Sequence, residues 1–388
     1  MRIVHLFANW KWTGPAEPAL NLAWRQSREH EVLFLSGQPP QGQSSRIASQ
    51  VEARGVAERG GFQLSKHERL RRNRQDALRL ARLLSEFRPH IVHTHLDNDH
   101  RVASVAVART GIGRLVRTAY DPGGLSHTLR MRLVARRALH GLVVTSRASR
   151  TGTLEHYGGG PRALLVDGRP RPLALIEGGV DLARFDPARQ DRQAARARLG
   201  LAPGDVAVGI VARVQAHRRF EILLDALEQA RRRHPALRLV VIGRGTNIRP
   251  LLLDPIEARG LAGAVLATGY LEGDDYPAAL AALDASLFLV PGSDGSCRAL
   301  RELLVMGLPA IVTPRPPLPE IVEDGRSGLV AEESVEGLAE ALDRLVADAA
   351  GRARLRQGAL ASARRRFDLE AQTAATMAFY EEVLAAAP

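Results

Sequence analysis

The sequence predicts an α/β protein of two Rossmann-like domains, and three observations carry that expectation. Short apolar runs suited to buried strands alternate with helix-period stretches along the chain. The alternation starts twice, at residues 2–7 and again at 206–211, each time as an apolar strand leading through a loop into a helix. The length of 388 residues, 45% of them apolar, is enough to fill two domain cores.

Composition narrows the function classes. The single cysteine, Cys297, excludes an intrachain disulfide framework and a cysteine-based zinc site, and it fits a reducing cytosol. No apolar run reaches membrane-spanning length, and Met1 to Phe7 reads as a strand rather than a signal peptide, so a cytoplasmic location is expected. The formal net charge of +12, dominated by arginine, draws anionic lipid, nucleic acid or sugar nucleotides. Aromatic residues make up only 4% and leave few stacking platforms, which argues against nucleic acid.

In chain order, Arg2 to Phe7 is the first strand, and the loop after it holds Asn9, Trp10, Trp12, Thr13 and Gly14. Pro15 suits the first position of the next helix. Glu31 to Leu35 is a second strand, and 51–61 holds a short helix and strand. Residues 65–82 are dense in cations (Lys66, Arg69, Arg71, Arg72, Arg74, Arg79, Arg82) and become helical from Gln75, with Leu78 among the apolar positions. A second basic helix, 129–139, carries Arg130, Arg132, Arg136 and Arg137. Such helices serve an anionic membrane or an acceptor phosphate, or are simply solvated faces. Residues 89–95 form a strand with His93 and His95 on one face. No Glu or Cys spacing accompanies them, so no metal is expected, and His93 reads as a packed strand residue. Strands at 115–119 and 142–145 follow, separated by the loop from Tyr120 to Gly124, and the run Gly158-Gly159-Gly160-Pro161 is a break.

The second half opens on the strand 206–211, with Arg213 at its end and Arg218 and Arg219 before a helix. The strand 237–243 runs into Gly243-Arg244-Gly245, where glycines permit close approach of a ligand. The strand 265–268 runs into Gly269-Tyr270-Leu271. Leu287 to Val290 is a buried strand broken by Pro291, Gly292 and Ser293, and a helix with Ala299, Leu300, Leu303, Leu304 and Met306 ends at Gly307. Asp294 sits just before that helix and Glu302 about two turns inside it. A helix N-terminus favours an anion such as phosphate, and a carboxylate accepts hydrogen bonds from sugar hydroxyls. The plainer reading makes Asp294 a cap and Glu302 a solvent-facing acid. Three helices, at 335–347, 352–366 and 369–384, close the chain.

The spacing Asp294-x7-Glu302 resembles the acid-x7-acid signature of GT-B-fold retaining glycosyltransferases of the group 1 (family 4) type. Gly179-Val180-Asp181, Arg213 with Arg218, and Glu320 to Val330 occur in the order that family shows. The resemblance implies that Glu302 binds the nucleotide ribose, and that Asp294, Gly295 and Ser296 meet the donor sugar and phosphates, with Cys297 and Arg298 completing the stretch. It implies that Arg213 and Arg218 grip the diphosphate, that His95 lies beside the donor sugar with His100 as a second candidate, and that Gly14, Gly243, Gly245 and Tyr270 border the donor. Several positions depart from the usual residues: Asp294 for glutamate, Arg218 for lysine, Gly178 for asparagine, and Pro15, Pro316 and Pro317 for glycines.

The fold so implied has two Rossmann-like domains facing a cleft. Residues 1–177 form an acceptor-binding domain and 178–366 a nucleotide-sugar domain. Residues 367–388 form a helix returning to the first, packing through Phe367, Phe379 and Tyr380. The implied reaction is metal-independent, retaining glycosyl transfer from a nucleotide sugar to a glycan or lipid-linked acceptor in cell-envelope polysaccharide or lipopolysaccharide synthesis. It needs no cofactor beyond the donor. The protein would be cytoplasmic and peripheral at the inner face of the cell membrane, through the basic helices near 66–82 and 130–137. The rival is a non-catalytic nucleotide-sugar or nucleic-acid binding protein on the same fold, which salt-dependent DNA or RNA binding would reveal.

Overall fold

The computed structural model describes residues 1–292 and 296–386, and the chain divides into two compact units, each with its own sheet. The first unit comprises Met1–Gly179 and the last helix. Its elements are β1 (Arg2–Phe7), α1 (Ala16–Gln26), β2 (Glu31–Ser36), α2 (Arg46–Ala53), β3 (Ala57–Glu58), α3 (Leu70–Phe87), β4 (Ile91–Thr94), α4 (Asp97–Thr110) and β5 (Arg114–Ala119). There follow α5 (Leu129–Ala138), β6 (Gly141–Val144), α6 (Arg147–Tyr157) and the strands β7 (Gly159–Gly160), β8 (Ala163–Val166) and β9 (Arg169–Leu175). The sheet order is β3-β2-β1-β4-β5-β6-β9-β8-β7. It is parallel from β3 to β9, with β8 and β7 added antiparallel at the edge. Helices cover both faces, so β1, β4 and β6 are buried along nearly their whole length, as continuous apolar runs require.

The second unit comprises Val180–Gly292 and Cys297–Asp368. It contains α7 (Arg192–Arg198), β10 (Val206–Val211), α8 (Phe220–Arg231), β11 (Leu237–Ile242), α9 (Asp254–Ala258), β12 (Val265–Gly269), α10 (Asp275–Ala281) and β13 (Ala285–Phe288). It continues with α11 (Arg298–Val305), β14 (Ala310–Val312), α12 (Leu318–Ile321), β15 (Gly328–Val330), α13 (Val335–Ala347) and α14 (Ala349–Arg366). Its six strands are all parallel in the order β12-β11-β10-β13-β14-β15. The order reverses between β10 and β13, the place where doubly wound sheets open a crevice for ligands.

The last helix, α15 (Leu369–Ala385), lies against α1 and buries Phe379, Tyr380 and Val383 among Ile3, Phe7 and Leu20 of the first unit. The α/β expectation with parallel sheets is borne out. Phe367 is a correction: it follows the end of α14 and packs in the core of the second unit, under the guanidinium groups of Arg301 and Arg366. The helix expected from Gln75 starts at Leu70 instead, because its first turn is exposed and carries no apolar period to read. Leu78, counted with the apolar positions, is 41% exposed.

Side-chain caps set several helix starts. Ser146, Ser334 and Thr128 each accept from the backbone N–H three residues on. Asp99 does more. Its carboxylate accepts from Leu96 N at 2.9 Å at the start of α4 and from Ala8 N at 3.1 Å after β1, tying two strand-end loops together.

Candidate active site

In the second unit the ends of β10 and β13 are adjacent, and the predicted donor-binding cations follow them. Arg213 comes two residues after β10, is exposed, and has no hydrogen bond or ion pair among the described residues. Arg218 is half-buried, and its NH1 donates to the carbonyls of Val290 at 2.7 Å and Pro291 at 3.2 Å. One face of that guanidinium therefore holds the segment that follows β13. Asp294 and Gly295 lie outside the described residues.

Glu302 is 2% exposed, which removes the reading of it as a solvent-facing acid. α11 turns it inward, and its Oε2 accepts from the Tyr276 hydroxyl at 2.8 Å. Its Oε1 lies 3.3 Å from Arg298 NH1, one helical turn back. Burial and the neighbouring Glu302 push the Tyr276 hydroxyl well above its ordinary range, so it remains a donor at neutral pH. Tyr276 is in turn held edge-on by Phe185 at 5.8 Å. Nothing in the local sequence pattern around Tyr276 reports a partner on α11. Ser296 and Cys297 are buried, and Cys297 holds a left-handed φ of 44° at the start of α11. A β-carbon in that conformation is a strained arrangement of the kind that gathers at ligand loops.

Gly243 and Gly245 have steric reasons to be glycine. A β-carbon on Gly243 would lie 2.0 Å from the Ala212 carbonyl oxygen, and one on Gly245 would lie 2.3 Å from that of Val214. These glycines let the segment after β11 lie against the segment carrying Arg213. Tyr270, at the end of β12, is 42% exposed, and the Arg244 guanidinium covers its ring at 4.8 Å. Together they make a flat platform on the same strand-end side of the sheet.

The first unit holds a cavity of about 530 Å³ at the ends of β1, β4 and β5, lined among others by Asn9, Thr13, Lys66, His95, Arg117 and Tyr120. Pro15 lines it too, and Gly14 lies in the turn closed by Ala16 N to Thr13 O at 3.0 Å. His95 reaches the cavity wall, but both its ring nitrogens are engaged inside the unit. Nε2 lies 3.0 Å from His5 Nδ1, and Nδ1 lies 2.9 Å from the Tyr120 hydroxyl. His100, the second candidate, is fully buried, bonds Thr94 at 3.1 Å, and does not line the cavity. Its place on α4 turns it into the core rather than toward the loop.

His5, His93 and His95 bring ring nitrogens within 4.8 Å of one another. All six of those nitrogens have protein partners: Gln26 and His95 for His5, Tyr380 and Thr118 for His93, His5 and Tyr120 for His95. The residues fit a closed hydrogen-bond network better than a metal centre, in which ligand nitrogens face an ion. Burial drives the His5 imidazole down to about 4 and holds His93 and His95 well below their ordinary value. All three are neutral at pH 7.

Arg117, which sequence reasoning did not single out, is 5% exposed on β5. Its NH2 meets Asp97 at 3.0 Å and its NH1 lies 3.6 Å from Asp99. Burial pushes the Asp99 carboxyl up to about 7 against the pull of Arg117.

Comparison with known proteins gives a consistent result. The family described as "Glycosyltransferase Family 4" matches residues 14–184, and that described as "Glycosyl transferases group 1" matches residues 191–361. A D-inositol 3-phosphate glycosyltransferase of Salinispora arenicola is 33% identical over 207 residues, 50% of this chain and 46% of that protein. A putative colanic acid biosynthesis glycosyltransferase, WcaL, of Salmonella typhimurium is 30% identical over 182 residues, 45% of this chain and 42% of that protein. The matched stretch thus spans about half the length of these curated relatives. The crystal structure of Anabaena Alr3699/HepE in complex with UDP superposes with a TM-score of 0.81 at 19% identity, covering 98% of this chain and 100% of that one. At that identity the likeness speaks for the fold.

Proposed function

Because the chain belongs to the group 1 glycosyltransferases, its two halves matched by the two families of that group, we propose that it moves a sugar from a nucleotide-sugar donor to a glycan or lipid-linked acceptor, with retention at the anomeric carbon. The observation that carries this reading is Glu302: a buried carboxylate held by Tyr276 and Arg298, on the helix that follows β13, with Arg213 and Arg218 after the neighbouring β10.

In this reading the ribose hydroxyls donate to Glu302, whose two oxygens have acceptor capacity beyond the two contacts described. Arg213 meets the diphosphate, and Arg218 holds the carbonyls of Val290 and Pro291 beside it. As the bond from sugar to phosphate breaks, negative charge grows on the leaving diphosphate. Arginine contacts that strengthen with that charge lower the barrier. In this reading the Tyr270–Arg244 platform borders the base. The first-unit cavity takes the acceptor. Lys66 and Arg117 on its wall suit a phosphorylated acceptor, and relatives named for inositol phosphate favour testing phosphorylated polyols first. The relative named for colanic acid favours a place in polysaccharide synthesis.

The first experiment is a thermal-shift screen against UDP-, GDP-, ADP- and TDP-sugars. Product analysis with the stabilising donor, with and without acceptor, follows. Stabilisation by a nucleotide sugar without any sugar transfer would favour the rival, a binding protein on this fold. Wild-type turnover by purified Glu302→Ala would defeat the assignment.

A further inference from the structure

The layer formed by α3, α4 and α5 carries five of the seven exposed large apolar side chains among the described residues: Leu70, Leu78, Val105, Leu129 and Leu133. Leu70 and Leu129 are the extremes, 77% and 75% exposed. Their helices both pack on α4. Glu68, just ahead of α3, bonds Arg101 of α4 at 2.5 Å and Arg130 of α5 at 3.2 Å, drawing the starts of the three helices together. Single exposed leucines are ordinary, but a cluster of them marks a contact surface.

The charges around the cluster say what it contacts. On α5, Met131, Ala135 and Ala138 face the core, while Leu129 and Leu133 stand one turn apart on the outer stripe. Arg130, Arg132, Arg136 and Arg137 flank that stripe, and α5 has no acidic residue. On α3, Leu70, Arg74, Leu78 and Arg82 repeat at four-residue spacing and all are exposed. A solvated helix face has no use for these leucines. A nucleic-acid face gains nothing from aliphatic side chains between its cations and wants aromatic ones, which this surface does not offer among its exposed large side chains. Aliphatic groups interleaved with arginine match the interface of an anionic bilayer, where leucine sinks to the acyl boundary and guanidinium meets phosphate headgroups.

The geometry points to a membrane-docking face: the outer surface of α3, α4 and α5 lies on anionic lipid, with Leu70, Leu129 and Leu133 inserted and the arginines on the headgroups. Lys66 and His127, which line the first-unit cavity, lie just ahead of Leu70 and Leu129 in the chain, so the cavity borders this face. That placement delivers a lipid-carried acceptor to the cavity, a corollary that rests on the transferase reading; the docking itself does not.

The test is cosedimentation of the full chain with vesicles of phosphatidylcholine alone or mixed with phosphatidylglycerol. The protein is expected to bind the mixed vesicles, and the double variant Leu129→Gln/Leu133→Gln to bind them about tenfold more weakly or worse. Both leucines are exposed, so the variant folds, and its thermal shift with the donor nucleotide stays that of the wild type. Equal binding of variant and wild type, or no binding of the wild type to mixed vesicles, overturns the proposal. So does vesicle binding displaced by duplex DNA with the leucine variant unaffected, which would assign the arginines to nucleic acid. A wild type that binds vesicles but shifts with no nucleotide sugar would sink the transferase reading and leave the docking face standing.

Discussion

His95 Nε2 and His5 Nδ1 lie 3.0 Å apart inside the first unit, and that contact fixes where the protons sit on both rings. The Gln26 amide oxygen, 2.8 Å from His5 Nε2, requires a proton on that nitrogen. Neutral His5 then offers a lone pair at Nδ1, so His95 must donate from Nε2. His95 Nδ1 is left as an acceptor and takes the proton of the Tyr120 hydroxyl at 2.9 Å. Every donor in this relay points inward, so no histidine N–H of the relay is left over for a ligand.

This network makes the fold acid-labile. His5 is lowered to about 4, His100 to about 3 and His140 to about 4, all chiefly by burial, and His93 and His95 are lowered further than their ordinary range. An unfolded imidazole titrates at about 6.5, so the unfolded state binds these protons first. The stabilisation is complete above about pH 6.5 and is lost as pH falls toward 4, at about 1.4 kcal/mol per pH unit for each imidazole. Asp99, raised to about 7, and Asp76, raised by burial, have the opposite sign across that window, but they are two groups against five. The melting temperature should drop steeply between pH 6.5 and 4.5; a flat profile there would show that the histidines titrate normally.

Arg213→Ala and Glu302→Ala should both abolish transfer but separate on stability. Arg213 is exposed and has no described partner, so its loss should leave the unfolding free energy within about 0.5 kcal/mol of wild type. Transfer should fall about 10²-fold or more, as for other groups that stabilise transition-state charge. Glu302→Ala strands the buried Tyr276 hydroxyl and should cost about 1–3 kcal/mol as well. Urea titrations beside initial rates distinguish the two.

Tyr276→Phe keeps the ring against Phe185 and deletes only the donor to Glu302. Arg298 remains as the partner of the other carboxylate oxygen. The expected result is a weaker donor interaction, read as a raised KM for nucleotide sugar, with a smaller effect on kcat. An unchanged KM would show that the hydroxyl does not orient Glu302.

The alternation of apolar runs made both sheets legible, and the spacing from Arg213 to Arg218 and the depth of Glu302 in its helix were readable one segment at a time. Partners brought by strand order were not. The period of two puts His93 and His95 on one face, but only the β1–β4 register sets His5 opposite His93. The same holds for Tyr276 on Glu302 and for Arg117 on Asp97, each a contact between elements with no local signature. The partners of His95 were not legible because His5 and Tyr120 come from another strand and a loop. Gly243 and Gly245 read as glycines that admit a ligand, and a sequence does not reveal that Ala212 and Val214 also crowd them.

Gly179→Ala tests how the last helix is held. No left-handed backbone conformation demands glycine here; the demand is space. A β-carbon would lie 2.6 Å from Leu369 Cα and 2.8 Å from Gln372 Oε1, where α15 begins. The Gly179 N–H donates to that same oxygen at 2.9 Å, so the helix cannot retreat without breaking the bond. Backbone on one side leaves no flexible group to yield. The substitution should therefore cost about 1–3 kcal/mol, as overpacking does, and should loosen the first turn of α15. Limited proteolysis should cut the variant near residue 369 faster than wild type, while the thermal shift produced by a donor nucleotide in the second unit persists. Unchanged cleavage would mean that α15 is anchored by Phe379, Tyr380 and Val383 alone.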